Sequence, residues 1–473
     1  MTLPPSAPCI PRSRLGAEYI EHVQEQGCEP ADLMRHVVAD ELVTVAYGGR
    51  FLPSPVFLSR AERSQVADDL NQIYQLLTEL PERLFRGDVG ALARAVGMTT
   101  TQVDVVQRAR QAGTALLPLA RSDLYRGSSG FKLLELNITS ALGGFESAGI
   151  NRAMLLHPAL ASFVSDKRLA YTDTFGDIVK TLYAECAKHL NHGRHPVVAL
   201  VDWPESFESY EPRLKVMAAL FETLGIDAIP CHVGQIAERN GRLEVRGRPI
   251  DVVYRFFLVE EIVTPADGEL VAPLLRAFEE GRVGIFSRLD AELYGNKGTL
   301  AMLSDDRNRS AFSDEERRCI DRFLPWTRHV RTTATDSVGQ EVDLVAYALA
   351  HQEDLILKPT LLHGGSGIVP GWTSSQEDWK AQLAAAVGGS YVLQERIRPI
   401  PEAFPADEGS GVQELYLNWG VFLTDPRVTG ADGFSGCIVR GSSDPEVGVV
   451  SMSGGARVAC TFSECTAEAI DLP

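Results

Sequence analysis

The sequence predicts an α/β protein of several domains, with α+β character where a helical part meets a mixed one. Three patterns lead there. The first 120 residues carry mostly helical periodicity, the stretch from about Pro196 runs strand, helix, strand, and the chain beyond residue 343 turns to helix, strand and glycine-rich loop. With 473 residues, 45% apolar and 23% charged, the chain can bury a large core, and its length suggests about three domains.

Each element follows from its own pattern. AERSQVADDLNQIYQLLTELPERLF and MTTTQVDVVQRARQAGTALLPLA place apolar residues at helical spacing. HPVVALVDW reads as a buried strand, PRLKVMAALFETLGI as an amphipathic helix ended near Gly225, and DAIPCHV and IDVVYRFFLV as two further strands. Helical segments return at NKGTLAML and EERRCIDRFL. The Pro- and Gly-rich stretch RPIPEAFPADEGSGVQ reads as a mobile loop.

Composition excludes several classes. A formal charge of −18 argues against nucleic acid as a partner, because phosphate neutralisation needs clustered Lys and Arg. No apolar run reaches the roughly 18 to 20 residues of a membrane span, and the first residues lack the apolar region of a secretory signal, so a cytoplasmic protein without membrane contact is expected. The eight cysteines, Cys9, Cys28, Cys186, Cys231, Cys319, Cys437, Cys460 and Cys465, lack metal-ligand spacing and read as reduced, mostly buried thiols.

Two strands, RSDLYR and FKLLELN, flank Ser128, Ser129 and Gly130, and a three-residue loop with Gly130 left-handed is a common hairpin solution. In that register Asp123 lies opposite Glu135, and Glu135 shares a face with Asn137 because strand side chains repeat every second residue. Opposed carboxylates repel and need a cation or solvent between them. Asp, Glu and Asn oxygens suit Mg²⁺; a solvated polar strand face is the alternative.

Further on, DLILKPTLLHGGSGIVPGW runs an apolar strand through Lys358 into Gly364, Gly365, Ser366 and Gly367. Glycines let backbone N–H groups approach an anion and a Lys adds a point charge for phosphate, although a plain hairpin turn is the simpler reading of the loop alone. His363 beside it reads as a loop residue. In SYVLQERIRP, a strand runs into Gln394 and Glu395; its backbone can face an adenine edge while Val392 or Ile397 packs on the ring, although taken alone an ordinary strand end is the commoner reading. Arg255 interrupts the apolar strand VVYRFF, where a charge is costly unless paired or functional; it is taken to face substrate or ATP, with a buried ion pair as the alternative.

Lys297 in GNKGTLAMLSD, Lys358 before the glycines, the QERI strand end and the Asp…Glu-x-Asn hairpin together resemble the ATP-binding set of the ATP-grasp superfamily. In most of that superfamily the Glu-x-Asn hairpin comes last. Here it comes first, so the chain resembles circularly permuted members similar to glutathionylspermidine synthetase and the permuted type 2 group, over roughly residues 115 to 460.

Beside the mainly helical segment at 1–114, which lies outside it, the resemblance implies an ATP-grasp core with the metal hairpin at 115–190, an α/β substrate domain at 191–290, and a nucleotide-binding and lid part at 291–473. It implies a ligase that joins a carboxylate to an amine through an acyl-phosphate, with ATP and Mg²⁺ as cofactors and amino acids or peptides as substrates. A homodimer is an allowed assembly. Asp123, Glu135 and Asn137 would hold Mg²⁺; Lys297 and Lys358 would contact the phosphates, with Gly364 to Gly367 closing over them. Gln394, Glu395 and Ile397 would read adenine and ribose, and Arg121 and Arg440 would stabilise the acyl-phosphate and the oxyanion that follows. A kinase that stops at phosphoryl transfer and a nucleotide-binding protein without turnover are the alternatives.

Overall fold

The computed structural model describes residues 13–113, 116–190, 195–408, 411–430, 432–444, 446 and 449–464. Helices dominate the N-terminal part. The longest, Arg60–Phe85, starts in a capping box between Ser59 and Glu62 and buries Val66, Leu70, Ile73, Leu77 and Leu80, a three-four repeat that turns one stripe to the core. The helix expected through residue 120 stops at Ala112, where Gly113 adopts an extended conformation. Leu119 already belongs to a strand.

The main sheet crosses the chain's full length. Its order is Val56–Leu58, Arg457–Glu464, Phe434–Ser442, Val412–Thr424, Leu119–Gly127, Gly130–Ile138, so a strand from the helical N-terminal part pairs in parallel with the last one. The other neighbours in that order are antiparallel. RPIPEAFPADEGSGVQ does not form the loop expected of it. Its segment Pro401–Pro405 pairs antiparallel with Val412–Thr424, and Phe404 is buried; residues 409 and 410 lie outside the described residues.

Beside this sheet stands a parallel one in the order Gly284–Phe286, Val252–Arg255, Val197–Asp202, Asp227–His232, with helix Pro204–Thr223 making one crossover. Strand Val197–Asp202 is buried at every position, as a parallel strand covered on both faces should be. A third, antiparallel sheet runs Thr327–His329, Tyr391–Glu395, Leu355–Pro359, Val369–Pro370. It has a small core of its own around Trp379, Leu357 and Leu393.

Six cysteines in the described residues are free thiols, and all but Cys28 are buried. Cys9 and Cys465 lie outside those residues. Among the described residues no helix is long and apolar enough to cross a membrane.

Candidate active site

The hairpin of the main sheet positions the polar face. Its turn is tighter than the three-residue loop expected: Gly127 pairs with Gly130, and a bulge at Leu134 restores the register so that Asp123 still pairs with Glu135 and Arg121 with Asn137. Arg121, Asp123, Glu135 and Asn137 therefore share one face of two neighbouring strands. The bulge also has a use of its own, because the Leu134 carbonyl accepts a hydrogen bond from Lys358 Nζ at 3.4 Å.

Two buried lysines meet this face. Lys297, 3% exposed, begins helix Lys297–Ser304, whose cap Asn296 accepts from Gly298 N–H. Its Nζ donates to Glu135 Oε1 at 3.0 Å and to the Leu362 carbonyl at 2.7 Å, tying the hairpin to the glycine loop. Lys358 lies on the third sheet and donates to Gln394 Oε1 at 2.7 Å on the neighbouring strand. Burial presses the Lys358 ammonium down to about 8, with Lys297 acting the same way and Glu135 against it. Glu135 shows the reverse balance: burial disfavours its charge, yet Lys297, His363 and Lys358 outweigh it and hold the carboxyl at about 2.

The arginines complete the patch. Arg440 Nη2 donates to Asp123 Oδ1 at 2.6 Å and to Asn418 Oδ1 at 3.3 Å, while Arg121 Nε stands 3.5 Å from the same Asp123 oxygen. Four cations thus surround two carboxylates, an imbalance that suits a polyphosphate. The donors also suit Mg²⁺. The cation contacts made by Asp123 and Glu135 each use one carboxylate oxygen, and Asn137 donates through Nδ2 to the Arg121 carbonyl, which leaves its amide oxygen as the metal-type donor.

Two cavities open on this patch. The first is a slot between the main and third sheets, lined by Asp123, Glu135, Lys358, Ile356, Trp372, Gln394, Glu395, Arg396, Ile397 and Asn418. The second, about 630 Å³, lies between the hairpin and the parallel sheet and includes Arg121, Asp123, Glu135, Asn137, His363, Gly364, Gly365, Arg213, Asp202 and Arg440. That volume falls in the range of small-molecule sites. Asp123 and Glu135 line both cavities, so they sit where the two join.

Most of the residues singled out in the sequence gather here, and some do not. Gly364 and Gly365 line the larger cavity with φ of 66° and 84°, left-handed values that glycine adopts readily. Ser366 and Gly367 do not line it, and a Cβ on Gly367 would lie 3.2 Å from Pro359. Ile397 lines the slot, whereas Val392 is buried in the sheet. Arg255 reaches neither cavity. It is fully buried, pairs with Glu292 and donates to the Ser287 and Phe257 carbonyls, so it is a structural ion pair and not a substrate contact.

The sequence reading missed Asn418, Glu260 and the Tyr47–Glu146–Arg213 chain. Asn418 carries the same signal as Asn137, an amide inside an apolar strand, YLNWG. Glu260 accepts from His363 Nδ1 at 2.7 Å; burial disfavours charge on His363, but this bond outweighs it and raises its pKa. Arg213 Nε and Nη2 both donate to Glu146 Oε1, and Tyr47 donates to Glu146 Oε2.

No protein-family model matches the chain, and no curated protein matches it in sequence. Its fold, however, is similar end to end to a solved structure, a glutathione synthetase-like effector from Globodera pallida in apo form, with a TM-score of 0.52 at 12% identity, covering 96% of this chain and 99% of that one. The two chains share a fold. At 12% identity the likeness speaks for the fold alone. A structure from Methylobacillus flagellatus provisionally named gamma-glutamylcysteine synthetase aligns with a TM-score of 0.41 at 10% identity over 83% of this chain and 86% of that one, too low to carry an argument.

Proposed function

We propose that the chain is an ATP-dependent, ADP-forming carboxylate–amine ligase of the circularly permuted ATP-grasp type, acting on amino acid or peptide substrates. The observation that carries this reading is the junction of two cavities at Asp123 and Glu135, with Lys297 bonded to Glu135 and Lys358, which lines the slot, bonded to Gln394 and the Leu134 carbonyl. The order of parts along the chain, hairpin first and lysines later, supports the permuted form.

In this reading the slot beside Gln394, Glu395 and Ile397 takes the adenosine part of ATP, and Lys297 and Lys358 hold its phosphates. Asp123, Glu135 and Asn137 would hold Mg²⁺, which would supply positive charge to offset that of the phosphates. A carboxylate substrate in the larger cavity attacks the γ-phosphorus and ADP leaves. Arg121 and Arg440 neutralise the acyl-phosphate so formed, then the oxyanion produced when an amine nitrogen attacks its carbonyl carbon; phosphate departs and the amide remains. No protein nucleophile is required, because ATP activates the acyl group.

The test is ADP release with Mg²⁺ and ATP over a panel of amino acids and dipeptides, with and without hydroxylamine. A ligase traps a hydroxamate from its carboxylate substrate alone, and Asp123→Asn with Glu135→Gln lowers the rate by at least about 100-fold. A stable phosphorylated product in place of the hydroxamate would make the chain a kinase, and ADP release unchanged in the double variant would remove the metal assignment.

A further inference from the structure

The larger cavity has a wall that the phosphoryl chemistry leaves unused. Asp202, Glu260 and Glu261 line it. Asp202 is the last residue of strand Val197–Asp202, at the carboxyl edge of the parallel sheet, where open α/β sheets bind ligands. It is only 5% exposed, and its Oδ2 has no hydrogen-bond partner. A buried carboxylate oxygen without a donor is costly, which makes it a position that a ligand's donor would complete.

Glu261 faces the same space. Its Oε2 accepts from Leu258 N–H at 2.7 Å, and burial together with the charges of Asp202, Glu260 and Glu292 pushes its carboxyl up to about 7. Glu260 accepts from His363, whereas Asp202 and Glu261 form no ion pair among the described residues. Arg121 and Arg213 line the same cavity. Leu214, Met217 and Phe256 line it as well and offer apolar surface for methylenes.

We propose that Asp202 and Glu261 form a cation subsite that holds the ammonium group of a small aliphatic amine. Calling the molecule that carries this ammonium the acceptor substrate rests on the ligase reading above, and its attacking nitrogen is then a second, neutral amine group, because a protonated nitrogen has no lone pair to give. Two carboxylates with unused acceptor capacity match the three donors of a primary ammonium, and the apolar side chains match its alkyl stem.

Ligand-observed NMR with 1-aminobutane as the probe tests this on the full chain, with butyrate as the anion of equal length. The wild-type protein should bind 1-aminobutane and not butyrate at this wall, and the isosteric double variant Asp202→Asn, Glu261→Gln, which removes both charges, should bind 1-aminobutane at least about tenfold more weakly. Should the double variant fold poorly, Glu261→Gln alone should give a smaller loss in the same direction. Equal binding to wild type and variant, no binding to wild type, or displacement of 1-aminobutane by Mg²⁺ that the double variant abolishes would each overturn the proposal. The melting shift with Mg²⁺ and ATP, measured on the same samples, separates the two readings. A wild type that takes 1-aminobutane but not ATP loses the ligase function and keeps the subsite; one that takes ATP and ignores the amine loses only the subsite.

Discussion

At the scale of single residues, the site turns on charges held out of water. Lys358 is the clearest case. Burial favours its neutral form, so the folded protein releases this proton near pH 8 while an unfolded chain holds it to about 10.5. The unfolded state binds more protons in that window, and this group alone makes stability rise with pH between the two values. Phosphate binding has the opposite demand, since it needs the ammonium. ATP affinity is therefore expected to fall above pH 8 by up to about tenfold per pH unit, and Lys358→Arg, whose guanidinium keeps its charge, should flatten the profile; titrations from pH 7 to 9.5 read this directly. Arg255 teaches the converse. A buried charge in an apolar strand signals cost, not purpose, and its partner Glu292 lies 37 residues further along the chain, so VVYRFF alone could not distinguish an ion pair from a substrate contact.

At the scale of elements, the hairpin was legible because strand periodicity places Asp123, Glu135 and Asn137 on one face whatever the turn does. What could not be read was the route to that register, a two-residue turn with a compensating bulge at Leu134, since both routes leave the same residues opposed. The strand Pro401–Pro405 was hidden by its prolines and by the glycines that follow, which mark an edge strand as readily as a loop. Helix Ala291–Gly295 lies close against the hairpin. A Cβ on Gly295 would come 2.8 Å from the Leu136 carbonyl oxygen and 2.9 Å from the Ile138 nitrogen, backbone atoms that cannot turn aside. Gly295→Ala should destabilise the protein by about 1 to 3 kcal/mol by urea denaturation, and it should weaken ATP binding because Lys297, two residues on, would shift away from Glu135.

At the scale of the whole molecule, three sheets converge. The main sheet supplies carboxylates and arginines, the third sheet supplies Lys358 and the slot, and the parallel sheet supplies the far wall of the larger cavity. The α/β class and the alternation after Pro196 were readable from period and turn residues. The strand Val56–Leu58 closing onto Arg457–Glu464 was not, because a three-residue strand of apolar side chains carries no periodicity to read. The central claim is that a nucleotide's phosphates sit at the junction of the two cavities. A crystal structure with Mg²⁺ and a non-hydrolysable ATP analogue tests it most directly. The account predicts phosphate oxygens within hydrogen-bond reach of Lys297 and Lys358 and a metal ion on Asp123, Glu135 and Asn137; a nucleotide bound elsewhere, or a junction still closed by the Lys297–Glu135 pair at saturating analogue, would contradict it.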